Sequence, residues 1–379
     1  MTKKSVIQLL KSIPQSQLER IGEQTGVDSN VSRLYGDRMF KLLLFAMLRG
    51  DRISTRIMEY LYNTPFFKAL SGKGDHQTRH SSIADRLSSM PPEYFQQIFQ
   101  WVLERYAKVL GKNRLFKKIK RFDSTMVPIS SALVDWGMRV GRPPDEGYQK
   151  VQLKLTMEMH AHLPASVKSF FDQGHLSEEI ALKEAILSSA LSPGDIVVFD
   201  RGLKSRGSFQ VFDFEGVNFV TRGAPNTKYE VLEVHRKIQG RIADGLRFIQ
   251  DVKVHLYTDG GEVMEHPFRL IEAETPETRE SIIFLTNIWD LSAMEIARIY
   301  HYRWDIEVFF RFLKQELGIK HLINRTENGV QIQIYAALIA AILLLVFKIS
   351  NNIPGYHIAK MLFLDDLLII LVNELKSPP

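Results

Sequence analysis

The 379-residue sequence predicts an α/β protein with a helical N-terminal part, on three observations. Through residue 115 or so, apolar positions recur every three or four residues, the period of an amphipathic helix. From about 116 the texture changes to short alternating or wholly apolar bursts bounded by turn residues, the signature of strands. Near the C-terminus, "IYAALIAAILLLVF" (Ile334 to Phe347) is apolar for 14 residues. That falls short of the roughly 18 to 20 needed to cross a bilayer and predicts a helix buried on all sides. With 45% hydrophobic and 24% charged residues, the chain can build substantial cores for two or three domains. A net charge of +6 permits a nucleic-acid partner without requiring one. The absence of cysteine excludes disulfides, thiolate zinc sites and a cysteine nucleophile, and fits a reducing cytoplasm. "MTKKSVIQLLKSIPQSQLER" has no apolar core or cleavage site of a secretory signal.

In chain order, "VIQLLKSI", "MFKLLLFAMLRG", "RIMEYLYN" and "YFQQIFQWVLERYAKVLG" are helices, interrupted by the polar loop "SGKGDHQTRHSS" (71–82). "SSIADRLSSMPPEYF" reads as helix, turn and helix with Pro91 or Pro92 near the second start, open either to a DNA-reading pair or to an ordinary one. "LFKKIKRFDSTMVPI", "VQLKLTMEMHA" (151–161) and "LPASVKSFFD" (163–172) are three successive strands. A helix follows over "SEEIALKEAILSSAL" (177–191), then the strand "GDIVVFDRG", buried on both faces, and another at "NFVTRG" (218–223). Three strands, helix, strand, helix or crossover, strand and a further helix is the order of a ribonuclease H-like α/β core. Residues 224–291 hold further strands and read as a β-rich insertion. The predicted division is therefore 1–115 helical, 116–223 with 292–350 as the core, 224–291 as the insertion and 351–379 as a helical tail, with "KSPP" frayed at its end.

"IYHYRWDIEVFFRFLKQELG" (299–318) concentrates the chemistry. At about 100° per residue, Arg303, Glu307 and Lys314 fall near −60°, −20° and −40° from Tyr300, so a continuous helix carries all four on one stripe. Ile306, Phe309, Phe312 and Leu313 form the opposite, core-facing arc, and Asp305 lies off the polar edge. Alone, this is an amphipathic helix with a solvated charged face. Two further acids change its weight: Asp123 in "KRFDSTM" on the first strand and Asp200 in "VVFDRG" at the end of the buried one. Singly, the three acids read as a turn cap, a strand end and a surface charge. Jointly, converging from separate elements of this fold, they need raised pKa values or a divalent cation, and an oxygen-only donor set suits magnesium or manganese. Two such ions about 4 Å apart serve in-line phosphodiester displacement.

Tyr300, Arg303, Glu307 and Lys314, spaced Y-(2)-R-(3)-E-(6)-K, resemble the signature of the insertion-sequence DDE transposases of the IS-four type. "FDST" and "FDRG" are similar to the surroundings of that family's two catalytic aspartates. The resemblance covers roughly residues 116 to 350, and the helical N-terminal part looks like the leader domain of some bacterial members. One departure is Leu203, where many members carry an aromatic residue after "DRG".

The resemblance implies that Asp123, Asp200 and Glu307 ligate two Mg2+ ions, with Mn2+ an alternative. Tyr300, Arg303 and Lys314 would hold phosphates of the element end; tyrosine can also stack on a frayed base. Lys150, Lys154, Arg201, Lys204 and Arg222 would line a DNA path, although a solvated face explains them too. It further implies a cytoplasmic bacterial enzyme that cuts element ends, in some relatives through hairpins, and transfers the freed 3′-hydroxyls into target DNA. Its partners would be terminal inverted repeats, target DNA and a second copy of the chain. Two other readings are a ribonuclease H-like nuclease without strand joining and a non-catalytic DNA-binding regulator.

Overall fold

A computed structural model of the protein describes residues 5–10, 13–50, 52–71, 76–110, 118–129, 137–140, 150–160, 162–201, 203, 205–258 and 260–376. Among the described residues seven helices come first: α1 (Val6–Leu10), α2 (Gln15–Thr25), α3 (Gly36–Arg49), α4 (Thr55–Tyr62), α5 (Pro65–Ser71), α6 (His80–Ser89) and α7 (Glu93–Leu110). Strands β1 (Ile119–Ile129), β2 (Met138–Val140), β3 (Lys150–His160) and β4 (Leu163–Phe170) follow. Then come α8 (Glu178–Leu187), β5 (Ile196–Val198), α9 (Gly207–Phe214) and β6 (Asn218–Arg222). A run of strands comes next: β7 (Tyr229–Val234), β8 (Ile242–Ala243), β9 (Leu246–Leu256), β10 (Phe268–Glu274) and β11 (Ser281–Thr286). The chain closes with α10 (Ala293–His301), α11 (Trp304–Glu316), α12 (Glu327–Ser350) and α13 (Tyr356–Lys376). These elements fall into two compact units, one of Met1–Leu110, Val127–Leu153 and Phe309–Pro379, the other of Gly111–Met126 and Lys154–Val308.

The first unit is built around α12, which packs against α3, α6, α7 and α13. The helix is longer than the apolar run that predicts it, 24 residues, and among the described residues it alone is long and apolar enough to cross a membrane. Its most apolar window is 89% buried inside the fold. Gln333 is 0% exposed, yet its amide is satisfied: Nε2 donates to the His321 carbonyl (2.9 Å) and Oε1 accepts from the Ile323 N–H (2.9 Å). A buried amide paired in this way costs little, so the helix runs on through it. The predicted helix pair is α6 and α7, with a turn at Met90–Pro92. Arg86 of α6 is spent inside the unit, donating to the carbonyls of Leu34 (2.8 Å) and Val27 (2.7 Å) and to Asp28 Oδ1 (3.2 Å). Strand β2 pairs antiparallel with the first residues of β3, Val140 opposite Lys150.

The second unit is mixed α/β on a large sheet whose strands run β3-β1-β5-β6-β11-β10-β9-β7, with β4 paired to β3 and β8 to β9. β1, β5 and β6 are parallel, while β6 through β7 is antiparallel throughout. The order β4-β3-β1-β5-β6 fits a ribonuclease H-like fold, and strands β7 to β11 extend its edge through β11. "IVVF" is continuously apolar because both faces of β5 are covered. Val197 and Phe199 join a core with Leu182 and Ile186 of α8 and Phe209 and Phe212 of α9. Ile196 and Val198 join the opposite core with Ile296, Ala297 and Ile299 of α10. Period-two alternation thus assigns each residue to a face, and through the faces it positions the site.

Candidate active site

Register and alternation bring two of the three acids together before any helix is considered. Ile119 pairs with Ile196 across β1 and β5, and the same offset of 77 separates Asp123 from Asp200. Asp123 follows Ile119 and Arg121 at two-residue steps, and Asp200 follows Ile196 and Val198 likewise, so both continue the face covered by α10. β5 ends at Val198, which leaves Asp200 in the turn beyond a parallel strand's carboxyl end, where open α/β sheets place their ligands.

The third acid arrives through a break that the sequence period hides. In place of one continuous helix, α10 ends at His301, the chain turns through Tyr302 and Arg303, and α11 restarts at Trp304. Shorter hydrogen bonds tighten the turn: the Arg303 N–H donates to the Tyr300 carbonyl (2.9 Å) and the Ile306 N–H to the Arg303 carbonyl (3.1 Å). Arg121, wholly buried on β1, holds it, donating from Nη1 to the Tyr302 carbonyl (3.2 Å) and to Asp305 Oδ2 (2.9 Å). Arg121→Met keeps the bulk and removes both bonds. It is expected to cost about 2–4 kcal/mol in thermal unfolding and to lower cleavage with it; unchanged stability would mean that the break is held elsewhere.

The break lets Tyr300, Arg303 and Glu307 face the two aspartates. Tyr300 OH donates to Asp200 Oδ1 (2.8 Å). Arg303 Nη2 lies 2.7 Å from Glu307 Oε1, and Nη1 lies 3.9 Å from Asp200 Oδ2. The guanidinium carbon stands 5.4 Å from the Tyr300 ring centre, and Ser124 N–H donates to Asp123 Oδ1 (2.8 Å).

Over residues 115–343, more than half of the chain and all of this constellation, the sequence matches the family described as Transposase DDE domain. The chain belongs to the DDE transposases. The transposase is 32% identical over 274 residues to the Sinorhizobium fredii protein y4zB, named as a transposase, covering 72% of each chain. It is 26% identical over 279 residues to a Synechocystis protein named as the transposase of insertion sequence element IS4SA, covering 70% of this chain and 72% of that one. A cryo-EM structure titled as the piggyBac transposase synaptic complex with hairpin DNA superposes with a TM-score of 0.45 at 10% identity, over 99% of this chain and 82% of that one. As a family member the transposase is an enzyme of DNA transposition that cleaves and transfers DNA strands.

Charge in the transposase site is unevenly compensated. Burial raises Asp123 from 3.8 to about 7; the Ser124 N–H and the Arg303 charge pull against it, and the charges of Glu178 and Glu307 add to the rise. Burial also opposes the charge on Asp200, but Arg303, the Arg201 N–H and Tyr300 OH outweigh it and hold that carboxyl below the usual range. Tyr300 is pushed up to about 12 by burial and by Asp200. Burial disfavours the charged Arg303 too, yet Tyr300, Asp200 and Glu307 more than offset it. Three carboxylates, one of them raised to about 7 by burial, suit a hard divalent ion, and the family uses divalent metal. As the side chains stand, among the described residues no three of Asp, Glu or His are gathered closely enough to hold one. Arg303 bridges Asp200 and Glu307.

The remaining basic residues divide. Arg201 is exposed beside Asp200. Lys154 is 3% exposed and donates to the Leu176 carbonyl (2.7 Å). Arg222 pairs with Glu280 (3.2 Å). Lys204 lies outside the described residues, as does the side chain of Lys150. Lys314 is on α11, half-buried, in the stretch that belongs to the first unit. Leu203, the family departure, packs into the core with Phe199 and Phe209. Sequence reasoning missed Arg121 and Glu178; the signals were a basic residue two positions before Asp123 and paired acids opening a helix after Ser177.

Proposed function

We propose that the chain performs cut-and-paste transposition of an insertion sequence, with Asp123, Asp200 and Glu307 as its metal-holding catalytic acids. The observation that carries this reading is the convergence of Asp123, Asp200, Tyr300, Arg303 and Glu307 on one face of the sheet within the family domain. The three carboxylates would hold two Mg2+ or Mn2+ ions. Bound there, the ions would supply activation of the attacking oxygen and charge relief at the leaving oxygen of an in-line phosphodiester displacement.

The chain's own residues do the rest. Asp123, raised by burial, would hold an ion in its ionised form, Tyr300 fixes the Asp200 carboxylate, and the fork of Arg303 with the point charge of Lys314 and exposed Arg201 takes backbone phosphates. Residues 116–223 and 292–350 act as the ribonuclease H-like core, 224–291 as the insertion, 1–115 as a helical domain contacting DNA, and 351–379 as a helical tail. The substrates are terminal inverted repeats and target DNA, two copies of the chain acting on paired ends in the bacterial cytoplasm.

The test is a cleavage and joining assay on DNA bearing the element's inverted repeats, in Mg2+, Mn2+ or EDTA. Wild type is expected to nick and join only with metal, and Glu307→Gln to lose at least about 10³-fold in rate, equivalent to about 4 kcal/mol of transition-state stabilisation. Cleavage without joining would favour a nuclease, and full activity of Glu307→Gln would remove Glu307 from the site.

A further inference from the structure

Beside the start of α9 lies a polar cleft of about 400 Å3, lined by Arg206, Asn226, Lys228, Tyr257, Thr258 and Gly261. All six residues belong to the second unit, and none takes part in the site around Asp123 and Asp200. Arg206 Nη1 donates to the carbonyls of Lys228 (3.2 Å) and Tyr257 (2.8 Å), which ties the chain entering β7 and the chain leaving β9 to the start of α9. Glu179 of α8 fixes the same stretch, its carboxylate accepting from the Ser205 N–H and the Ser208 hydroxyl at 3.2 Å each.

The guanidinium is thus held at one nitrogen with Nε and Nη2 unspent: neither makes a hydrogen bond among the described residues, and neither do the Asn226 amide and the Tyr257 hydroxyl. Arg206 and Lys228 also lack a carboxylate partner there, whereas Arg222, Arg247 and Lys253 of the same unit are paired with Glu280, Glu274 and Glu233. None of the six lining residues is acidic. Two cations without an internal counterion, set beside two unspent neutral donors around one concavity, suit an external anion with several acceptor oxygens. In a protein that acts on DNA, that anion is a backbone phosphate, which takes bonds from arginine, lysine, asparagine and tyrosine without regard to sequence.

We propose that this cleft is a second DNA-contact site, gripping a backbone phosphate away from the reacting one, with the fork of Arg206 and the point charge of Lys228 as its main contacts. Arg206 stands six residues beyond Asp200, a span of at most about 20 Å when extended. With duplex DNA rising about 3.4 Å per base pair, the gripped phosphate lies within about six base pairs of the scissile one. That spacing rests on the placing of Asp200 in the catalytic site; the cleft's binding of DNA does not.

The full chain is titrated with labelled duplex in EDTA by fluorescence anisotropy, between about 50 and about 200 mM salt, so that binding is read apart from chemistry. Lys228→Gln and Arg206→Gln are each expected to bind about fivefold or more weakly at the lower salt and to reduce the slope of log affinity against log salt by about 1. Mixed-sequence and inverted-repeat duplexes should lose alike; a loss confined to the inverted repeats would overturn the phosphate assignment. Arg247→Gln makes the same change in charge at an ion pair and should keep the wild-type slope, so an equal fall there would reduce the effect to net charge and overturn the proposal. Should Arg206→Gln fail to fold, Lys228 decides, since its exposed side chain holds nothing else in place. The chain has no cysteine, so Lys228→Cys carries its sole thiol, and bound DNA should suppress alkylation of that thiol by N-ethylmaleimide. A wild-type slope in Lys228→Gln, or alkylation of Lys228→Cys unhindered by DNA, overturns the proposal. Full cleavage by Glu307→Gln would instead strike the catalytic reading and leave these binding results as they stand.

Discussion

Asp123→Asn is expected to make the metal-free protein more stable at about pH 8 while abolishing cleavage. The carboxyl is raised from 3.8 to about 7 by burial, so its folded form prefers to keep the proton. For a group raised in this way, the favourable contribution is fully present below the unfolded value near 4 and is lost as pH rises through about 7. Above that point both folded and unfolded states are charged, and the fold bears the whole cost of the buried anion. A rise from 3.8 to about 7 corresponds to up to about 4 kcal/mol. The neutral amide avoids that cost, so its melting temperature should exceed wild type by several degrees at about pH 8 and match it at about pH 4. Added Mg2+ should close the gap by stabilising wild type alone, since the amide offers the ion no charge. Melting curves at the two pH values, with and without Mg2+, measure all of this; a variant no more stable than wild type at the higher pH would show that Asp123 is not an uncompensated buried anion.

Arg269→Ala is expected to produce the largest loss of stability in the second unit, about 3–5 kcal/mol, with loss of cleavage following. Arg269 on β10 and Asp251 on β9 are both 0% exposed and joined by two parallel bonds of 2.8 Å, Nε to Oδ1 and Nη2 to Oδ2. The remaining nitrogen, Nη1, donates to the carbonyls of Ile288 (2.9 Å) and Leu291 (2.7 Å). Truncation leaves a buried carboxylate without its partner and two carbonyls without their donor. Those carbonyls belong to the segment that leads into Ser292, the capping residue of α10, and α10 carries Tyr300 to Asp200. Denaturant unfolding read alongside cleavage rates tests the chain of effects. Replacing the pair together, Arg269→Met with Asp251→Leu, should recover most of the stability, because a well-packed apolar pair avoids the cost of desolvating two charges. If the double variant were as unstable as the single one, the contact would owe its value to the carbonyl bonds and not to the ion pair.

Much of this was legible because local pattern and tertiary placement agree. "KRFDST" and the burst "IVVFD" marked Asp123 and Asp200 as acids on or at the end of strands, but that they share one face follows only from the parallel β1–β5 register, whose offset of 77 is also the separation of the two acids. The helix around Glu307 was legible as an amphipathic stripe, but not its interruption. The 3.6-residue period continues through Tyr302 and Arg303, while the bond that secures the turn comes from Arg121, 181 residues earlier. The partner of Lys154 was hidden for a related reason: in an alternating strand it falls on the polar face, and its ammonium donates to the Leu176 carbonyl across a loop that no local pattern reports. The antiparallel extension from β6 through β11 was legible as strands but not as a continuation of the same sheet, since pairing between distant strands leaves no trace in either one alone.

The composition of the first unit bears on how the protein comes into being. Its central helix, α12, is made after the sheet, yet it covers apolar faces of α3, α6 and α7 that are made before it, so partners about 240 to 300 residues apart must meet. On a ribosome those early helices can pack on one another, but the faces that α12 covers stay open until residues 327–350 have been synthesised. Closing so long a loop is slow compared with forming the helices themselves. Translation cut short anywhere before residue 327 therefore yields a product with an uncovered greasy surface, a species suited to capture by chaperones and proteases, so that quality control discards incomplete copies.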